Sequence, residues 1–265
     1  MDIRGNPVWR FAGLRPAAWL FFGYLYVPIA ILIVLSFNEN QIATIWTGFS
    51  TQWYGAVLAN DDILNAARNS LIVASAATLI ATVAATAAAL GMSRARFRAQ
   101  DAIGGLIALP LVVPEIVTAV ATLLFFVIIG IRLGLTSLII AHTVFCIPFA
   151  YLPVRARLEG MDPTLQEAAA DLYAAPWATF RRITLPLLWP GILSGAMLAF
   201  IISLDDFVIS YFVAGAGSTT LPVYIFGMIR IGITPEVNAV SSMMLVVSIL
   251  FVTLSYLAGR IRRTS

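Results

Sequence analysis

The chain has 265 residues, 60% hydrophobic and only 11% charged, with a mean hydropathy of +0.93, a balance that excludes an ordinary soluble globular domain and makes a bilayer its natural solvent. All 16 basic residues are arginine, and they stand in short clusters at the ends of apolar runs. That distribution argues against a nucleic-acid surface, which would concentrate its charge on one face.

The first apolar run, residues 17–37, follows Arg4, Arg10 and Arg15. It is longer than the core of a secretory signal, about 7–15 residues, and no convincing small-residue cleavage site follows it, so it reads as a spanning helix. Further runs at 69–92, 103–131, 135–153, 187–213 and 237–259 bring the predicted spans to six within one membrane domain, 1–265. Their lengths suit a hydrocarbon core of roughly 30 Å, and they lack the alternation of barrel strands. The fold class is therefore an all-α membrane protein.

Each span carries its own detail. The second is rich in small residues (Ala74, Ser75, Ala76, Ala77, Ala81, Ala84, Ala85, Ala87, Ala88, Ala89 and Gly91), which lets helix backbones approach closely where lipid offers no hydrophobic drive. It reads as a packed interior helix. Prolines at 110, 114, 148, 153, 186 and 190 predict bent or broken helices, tolerated where protein or a water-filled cavity satisfies the freed backbone groups. Cys146, the single cysteine, lies in an apolar run and reads as packing; no intrachain disulfide or cysteine-based metal cluster is possible.

Glu115, His142, Asp205 and Asp206 fall within or near the spans, where an acid costs about 3 kcal/mol and so faces a cavity or a partner. Counting about 1.5 Å per residue from Asp101 to Glu115 and from Pro190 to Asp205 gives about 21 and 22 Å of rise, so the acids share a depth band. They form an electronegative patch suited to a cationic solute, or they cap broken helices or pair with an arginine of a neighbouring subunit. His142 reads as a hydrogen-bonded core residue with no chemistry assigned, since no second metal ligand stands at suitable spacing. No metal site is expected.

With both termini inside, 13 arginines fall on one side and only Arg68, Arg132 and Arg230 on the other. Positive residues concentrate on the cytoplasmic side, so the predicted orientation is N-in, C-in.

The inside loop 154–186 is patterned. Asp162 and Pro163 supply an N-cap and a first-turn proline, and Leu165, Ala168, Ala169 and Leu172 make one shallow apolar face; Pro176 ends the helix or starts another. By itself this is also the pattern of a helix lying on the membrane. Glu167, Ala168 and Ala169, then Asp171 and Leu172, and later Ile183, Leu185 and Pro186, resemble the EAA loop of the permeases of binding-protein-dependent ABC importers. That resemblance implies a type I importer fold and a coupling helix whose residues Leu165, Glu167, Ala168, Ala169, Asp171, Leu172, Tyr173 and Pro176 dock on a cytoplasmic ATPase. One position departs from the family pattern: Tyr173 stands where glycine is usual, so it either changes the local turn or adds an aromatic contact to the ATPase.

The stretch from Leu185 to about Met244, including SLDDFVISYFVAGAGSTTLPVYIFGMIRIGITPEVNA from Ser203, resembles the second permease subunit of spermidine/putrescine importers, as do SFNENQ at 36–41, Trp46 and Trp53. The resemblance implies a polyamine pathway through Trp46, Glu115, Asp206 and Asp205, with cation–π contact at Trp46; an interfacial aromatic belt is the other reading of Trp46. Relatives of this type also take gamma-aminobutyrate, opines or aminoethylphosphonate. The implied partners are a second homologous permease, an ATP-binding subunit dimer and a periplasmic solute-binding protein, in a bacterial cytoplasmic membrane. No catalysis is expected on this chain and no cofactor, ATP and Mg being bound by the ATPase; a P-loop needs a lysine and this sequence has none. The glycine-rich segment 214–236 is expected to be an outer loop or re-entrant scoop where the binding protein docks. An ion-coupled secondary transporter would explain the spans, bends and acids but not the EAA loop.

Overall fold

The computed structural model describes residues 13–94, 98–162, 164–232 and 234–261. Arg4, Arg10, Arg96, Arg262, Arg263 and the helix-starting Pro163 lie outside the described residues. Helices follow in the order α1 Leu14–Leu35, α2 Gln52–Ala59, α3 Asp61–Arg94, α4 Gln100–Val112, α5 Glu115–Ile128, α6 Leu135–Glu159, α7 Thr164–Asp171 and α8 Pro176–Thr179. A π-turn at Phe180–Thr184 then leads into α9 Leu185–Asp205, followed by α10 Val208–Val213, α11 Leu221–Ile231 and α12 Pro235–Ile261. Among the described residues five helical segments are long and apolar enough to cross a membrane, and a sixth span results if α4 and α5 are counted together.

Five expectations change. The run 103–131 is not one helix: α4 and α5 meet at 109°. Pro114 supplies the reason, because it forces the preceding residue out of helical geometry, and Val113 is extended at ψ 132°. The other prolines inside runs do not break them; Pro110, Pro148, Pro153 and Pro190 sit within continuous helices. The run 187–213 stops at Asp205, and Asp206 turns extended at ψ 123° before α10 begins. The loop predicted to start at 154 starts later, since α6 runs on through Arg155 and Arg157 to Glu159. Half of the segment 214–236 is helical, with Pro222 in the first turn of α11, where its missing N–H costs nothing.

The chain packs as two compact units. One comprises the described residues up to Asn60 together with Gly227–Val246; the other comprises Asp61–Phe226 and the described residues from Val247 on. In the first unit, α1 buries none of its residues. The turn after α1 is tied down locally: Asn38 and Phe49 form an antiparallel bridge, and the Asn60 side-chain amide donates to Glu236 Oε1 at 3.4 Å.

In the second unit α3, α6 and α9 pack on one another. The predicted small-residue helix is α3, but only one stripe of it is interior. Ala74, Ala77, Ala81, Ala85 and Ala89 are buried, whereas Leu79, Ile80 and Val83 are exposed. Across from the stripe, Cys146, Ala150, Leu188 and Ala199 complete an apolar cluster. The fit of α6 to α9 rests on Gly195, where a Cβ would lie 2.5 Å from the Ala150 carbonyl oxygen. A second cluster joins α3, α5, α6 and α10 through Val73, Ala119, Phe126, Leu138, Phe145, Ile209 and Val213. In lipid these contacts stabilise by close packing rather than by withdrawal from water.

Candidate functional site

Two helix breaks build the acid cluster. Pro114 ends one helix and makes Glu115 the first residue of α5, while the C-terminus of α9 leaves Asp205 as its last helical residue and Asp206 just beyond. The packing of α10 on α5 and α6 brings Glu115 close to Asp206. The straight-helix depth count, which grouped Glu115 with Asp205, fails at the 109° bend, and the acid close to Glu115 is Asp206. Asp205 is more exposed, and Asp206 retains only 6% of its surface.

Asp206 is held from several sides. Its Oδ1 accepts the Ile209 N–H at 3.3 Å and its Oδ2 the Ser210 N–H at 2.9 Å, so it caps the start of α10, as one of the sequence alternatives had it. His142 Nε2 stands 3.3 Å from Oδ2. His142 is 1% exposed, with Nδ1 at 2.8 Å from Ser203 Oγ and Nε2 at 3.1 Å from Ser210 Oγ. The expected core histidine is therefore also the side-chain neighbour of a membrane acid. Sequence reasoning missed that pairing, and missed Ser203, Ser210 and the rings of Phe207, Tyr211 and Phe226 beside the break. Phe207 lies 4.7 Å from Phe226 and 5.4 Å from Tyr211 between ring centroids. The one available signal was the density of Ser, Asp and aromatic residues in 203–211 of an otherwise apolar run. Among the described residues no group of three or more His, Cys, Asp or Glu side chains is arranged to hold a metal ion.

Trp46 belongs to the first unit and is half exposed. The loop that carries it is organised by the fully buried Asn38, whose Nδ2 donates to the carbonyls of Ile45 at 2.8 Å and Ile42 at 3.3 Å. Its Oδ1 accepts from the N–H groups of Asn40 and Thr47 at 3.3 Å. Trp53 Nε1 closes the loop by donating to the Asn38 carbonyl at 2.8 Å. The SFNENQ string is thus a loop scaffold, and Trp46 is the ring it displays.

The segment expected to couple forms a short helix where its residues predict one. Asp162 Oδ1 accepts the Thr164 N–H at 3.0 Å, which holds its carboxyl below the usual Asp value, and α7 runs Thr164–Asp171. Of the expected apolar face only Ala169 is buried; Leu165 and Leu172 are exposed, and the π-turn is the main element that α7 packs against. Tyr173 has φ 56°. The Ala174 N–H bonds to the Ala169 carbonyl at 3.0 Å and the Tyr173 N–H to the Ala170 carbonyl at 2.9 Å, the paired bonds of a Schellman motif with Tyr173 at its left-handed position. The left-handed turn is thus formed with tyrosine rather than glycine, and the tyrosine ring is 97% exposed. Pro176 then opens α8 at its first position, and Trp177, also exposed, stacks on Phe180 at 5.5 Å. Glu167, Ala168 and Asp171 lie on the same short helix. An open cavity of about 1000 Å³ lies at the neighbouring end of the second unit, lined by Met92, Arg98, Asp101, Tyr151, Arg155 and Glu159 among others, with neither Glu115 nor Asp206 in its wall.

Comparison with known proteins bears on both ends of this arrangement. The chain is 41% identical over 239 residues to the spermidine/putrescine transport system permease protein PotC of Haemophilus influenzae, covering 90% of this chain and 93% of that one. It is 38% identical over 231 residues to the putrescine transport system permease protein PotI of Escherichia coli, covering 84% and 82%. Among solved structures, a chain of a bacterial ABC transporter involved in the import of the acidic polysaccharide alginate superposes with a TM-score of 0.75 at 17% identity, covering 96% of this chain and 99% of that one. A chain of the inward-facing MetNI methionine ABC transporter gives 0.64 at 20% identity, covering 75% and 95%. These structures share the fold. Residues 77–263 match the family described as the inner membrane component of binding-protein-dependent transport systems, and the chain, with its exposed short helix α7 and its broken spans, belongs to that family.

Proposed function

We propose that this chain is the permease subunit of an ATP-driven importer of polyamines, and that an amine cargo passes the break formed by Glu115, Asp205 and Asp206. The observation that carries the reading is the placing of Glu115 and Asp206 at two helix ends on elements that pack together, in a chain 41% identical to a spermidine/putrescine permease. Paired carboxyl groups suit an ammonium, whose N–H donors need acceptors in a low-dielectric setting. The exposed rings of Phe226 and Tyr211 near the break, and Trp46 on its own loop, offer faces for cation–π contact of about 0.5–2 kcal/mol.

In this reading the chain stands N-in, C-in in the bacterial cytoplasmic membrane, beside a second homologous permease. A pair of ATP-binding subunits engages Leu165, Glu167, Ala168, Ala169, Asp171, Leu172, Tyr173 and Pro176, and a periplasmic solute-binding protein delivers cargo. ATP and Mg belong to the ATPase. Closure of the ATPases shifts the permease between inward-open and outward-open states, whose populations follow the differential binding of nucleotide.

The test is ATP-dependent uptake of labelled spermidine and putrescine by the reconstituted complex. Glu115→Gln should raise the half-saturating concentration several-fold. Uptake of gamma-aminobutyrate, an opine or aminoethylphosphonate in place of the polyamines would move the cargo assignment, and an unaltered concentration dependence in Glu115→Gln would remove the acids from the path.

A further inference from the structure

The buried faces of α6 and α9 meet in steps of four residues, about one turn of each helix. A Cβ on Gly195 would stand 2.5 Å from the Ala150 carbonyl oxygen, Cys146 Sγ lies 3.4 Å from the Ala199 carbonyl oxygen, and His142 Nδ1 lies 2.8 Å from Ser203 Oγ. This register separates the two acids that follow. At about 100° per residue, Asp205 falls about 200° round the helix from Ser203, whereas Asp206 returns to within about 60° of it. Asp205 is accordingly exposed, while the side chains of Asp206 and His142 each retain 1% of their surface.

The contacts of Asp206 leave no face of it open to a solute. Its Oδ1 accepts the Ile209 N–H at 3.3 Å and its Oδ2 the Ser210 N–H at 2.9 Å, and His142 Nε2 stands 3.3 Å from Oδ2. Carboxylate oxygens only accept, so Nε2 is the nitrogen that carries a ring proton, and Nδ1 meets the Ser203 hydroxyl. Removing one member of such a set leaves another buried polar group unpaired. Ile209 and Ser210 belong to the first turn of α10. Just ahead of that turn, the Phe207 ring packs against Tyr211 and Phe226, so whatever holds Asp206 also sets the rings beside the break.

We propose that Asp206 is an anchor rather than a cargo contact, with His142 the positioning residue that holds it, and that Asp205 is the acid offered to the ammonium group. This rests on the amine reading above and divides its acids between two tasks. Asp206 lends negative charge to the break without touching the solute. His142 ties α6 to the junction of α9 and α10, and so keeps α10 and its aromatic rings in place while the exposed neighbour meets the cargo.

The experiment uses the full reconstituted complex with spermidine as probe. Asp205→Asn should raise the half-saturating spermidine concentration for ATP-dependent uptake several-fold and leave hydrogen exchange across 207–213 unchanged. Asp205→Glu, which keeps the charge in open space, should stay near wild type. Asp206→Glu also keeps the charge, but its extra methylene has no room among the donors, so uptake should fall and the Ile209 and Ser210 amides should exchange faster. His142→Ala should have both effects, and His142→Gln, which keeps an N–H donor, should reverse them. Because His142 and Asp206 act as one unit, the uptake losses of His142→Ala and Asp206→Asn should not add, whereas those of His142→Ala and Asp205→Asn should.

An Asp206→Glu complex at wild-type level in both uptake and amide exchange overturns the anchor, as does full additivity of His142→Ala with Asp206→Asn. An Asp205→Asn complex with an unaltered spermidine dependence overturns the division of tasks. If the wild-type complex takes up neither spermidine nor putrescine, the amine reading falls by itself, and amide exchange in the Asp206 and His142 variants still decides the anchor. If His142→Ala does not assemble, Asp206→Glu decides it.

Discussion

Tyr173 shows how one residue can depart from a pattern without disturbing its geometry. A left-handed residue other than glycine carries about 1 kcal/mol of backbone strain or somewhat more, and Tyr173 bears it at φ 56° while both bonds of the capping motif stay formed. The exposed ring is the candidate compensation, as a contact for the ATPase. Tyr173→Gly should therefore slow amide exchange across the α7 turn by relieving the strain, and weaken co-purification of the ATPase by removing the ring. Unchanged co-purification would show that the tyrosine contributes nothing to docking. The helix and its cap were legible from Asp162 and the residues that follow it. The αL position was legible only through the family's glycine, because nothing in tyrosine itself announces positive φ. Asn38 was hidden for another reason: a buried amide with five backbone partners looks in sequence like any polar residue of a loop.

Among the elements, six prolines raised the same expectation and met different ends. Pro114 breaks the chain because Val113 turns extended before it, whereas Pro148 and Pro153 are absorbed in the continuous α6. A proline removes one backbone hydrogen bond, and whether the helix bends depends on what neighbouring helices offer the freed carbonyl, which is a tertiary property. The contact of α6 with α9 is likewise set by close approach. Gly195 lies so near the Ala150 carbonyl that any side chain forces the helices apart. Gly195→Val should destabilise the chain by about 1–3 kcal/mol, read as a lower thermal midpoint in detergent, and an unchanged midpoint would mean that the pair is free to separate. The small residues of α3 announced close packing. Which face packed could not be read from them, since alanines surround the helix and only the stripe at 74, 77, 81, 85 and 89 is buried.

At the scale of the whole molecule, α9 connects the two functional regions within the second unit. Its start adjoins the π-turn that touches α7, and its far end carries Asp205 with Asp206 just beyond, a helical length of about 31 Å for 21 residues. In the proposed reading, a displacement of α7 has a continuous helix along which to reach the acids. The proposed orientation is open to a direct test, because Cys146 is the sole cysteine and is buried. In a Cys146→Ala background, Thr44→Cys should react with a membrane-impermeant maleimide in intact cells, and Leu172→Cys only after the membrane is opened; the reverse pattern would invert the topology. The sequence by itself determined the solvent, the lengths of the apolar helices and the short helix α7, because hydropathy, capping and helix propensity act over a few turns of contiguous chain. Only the tertiary structure decided that Glu115, His142 and Asp206 form one cluster. Their meeting depends on the 109° bend between α4 and α5, on the break after α9 and on the packing of α10 against α5 and α6, and contacts between residues so far apart along the chain leave no periodicity to read.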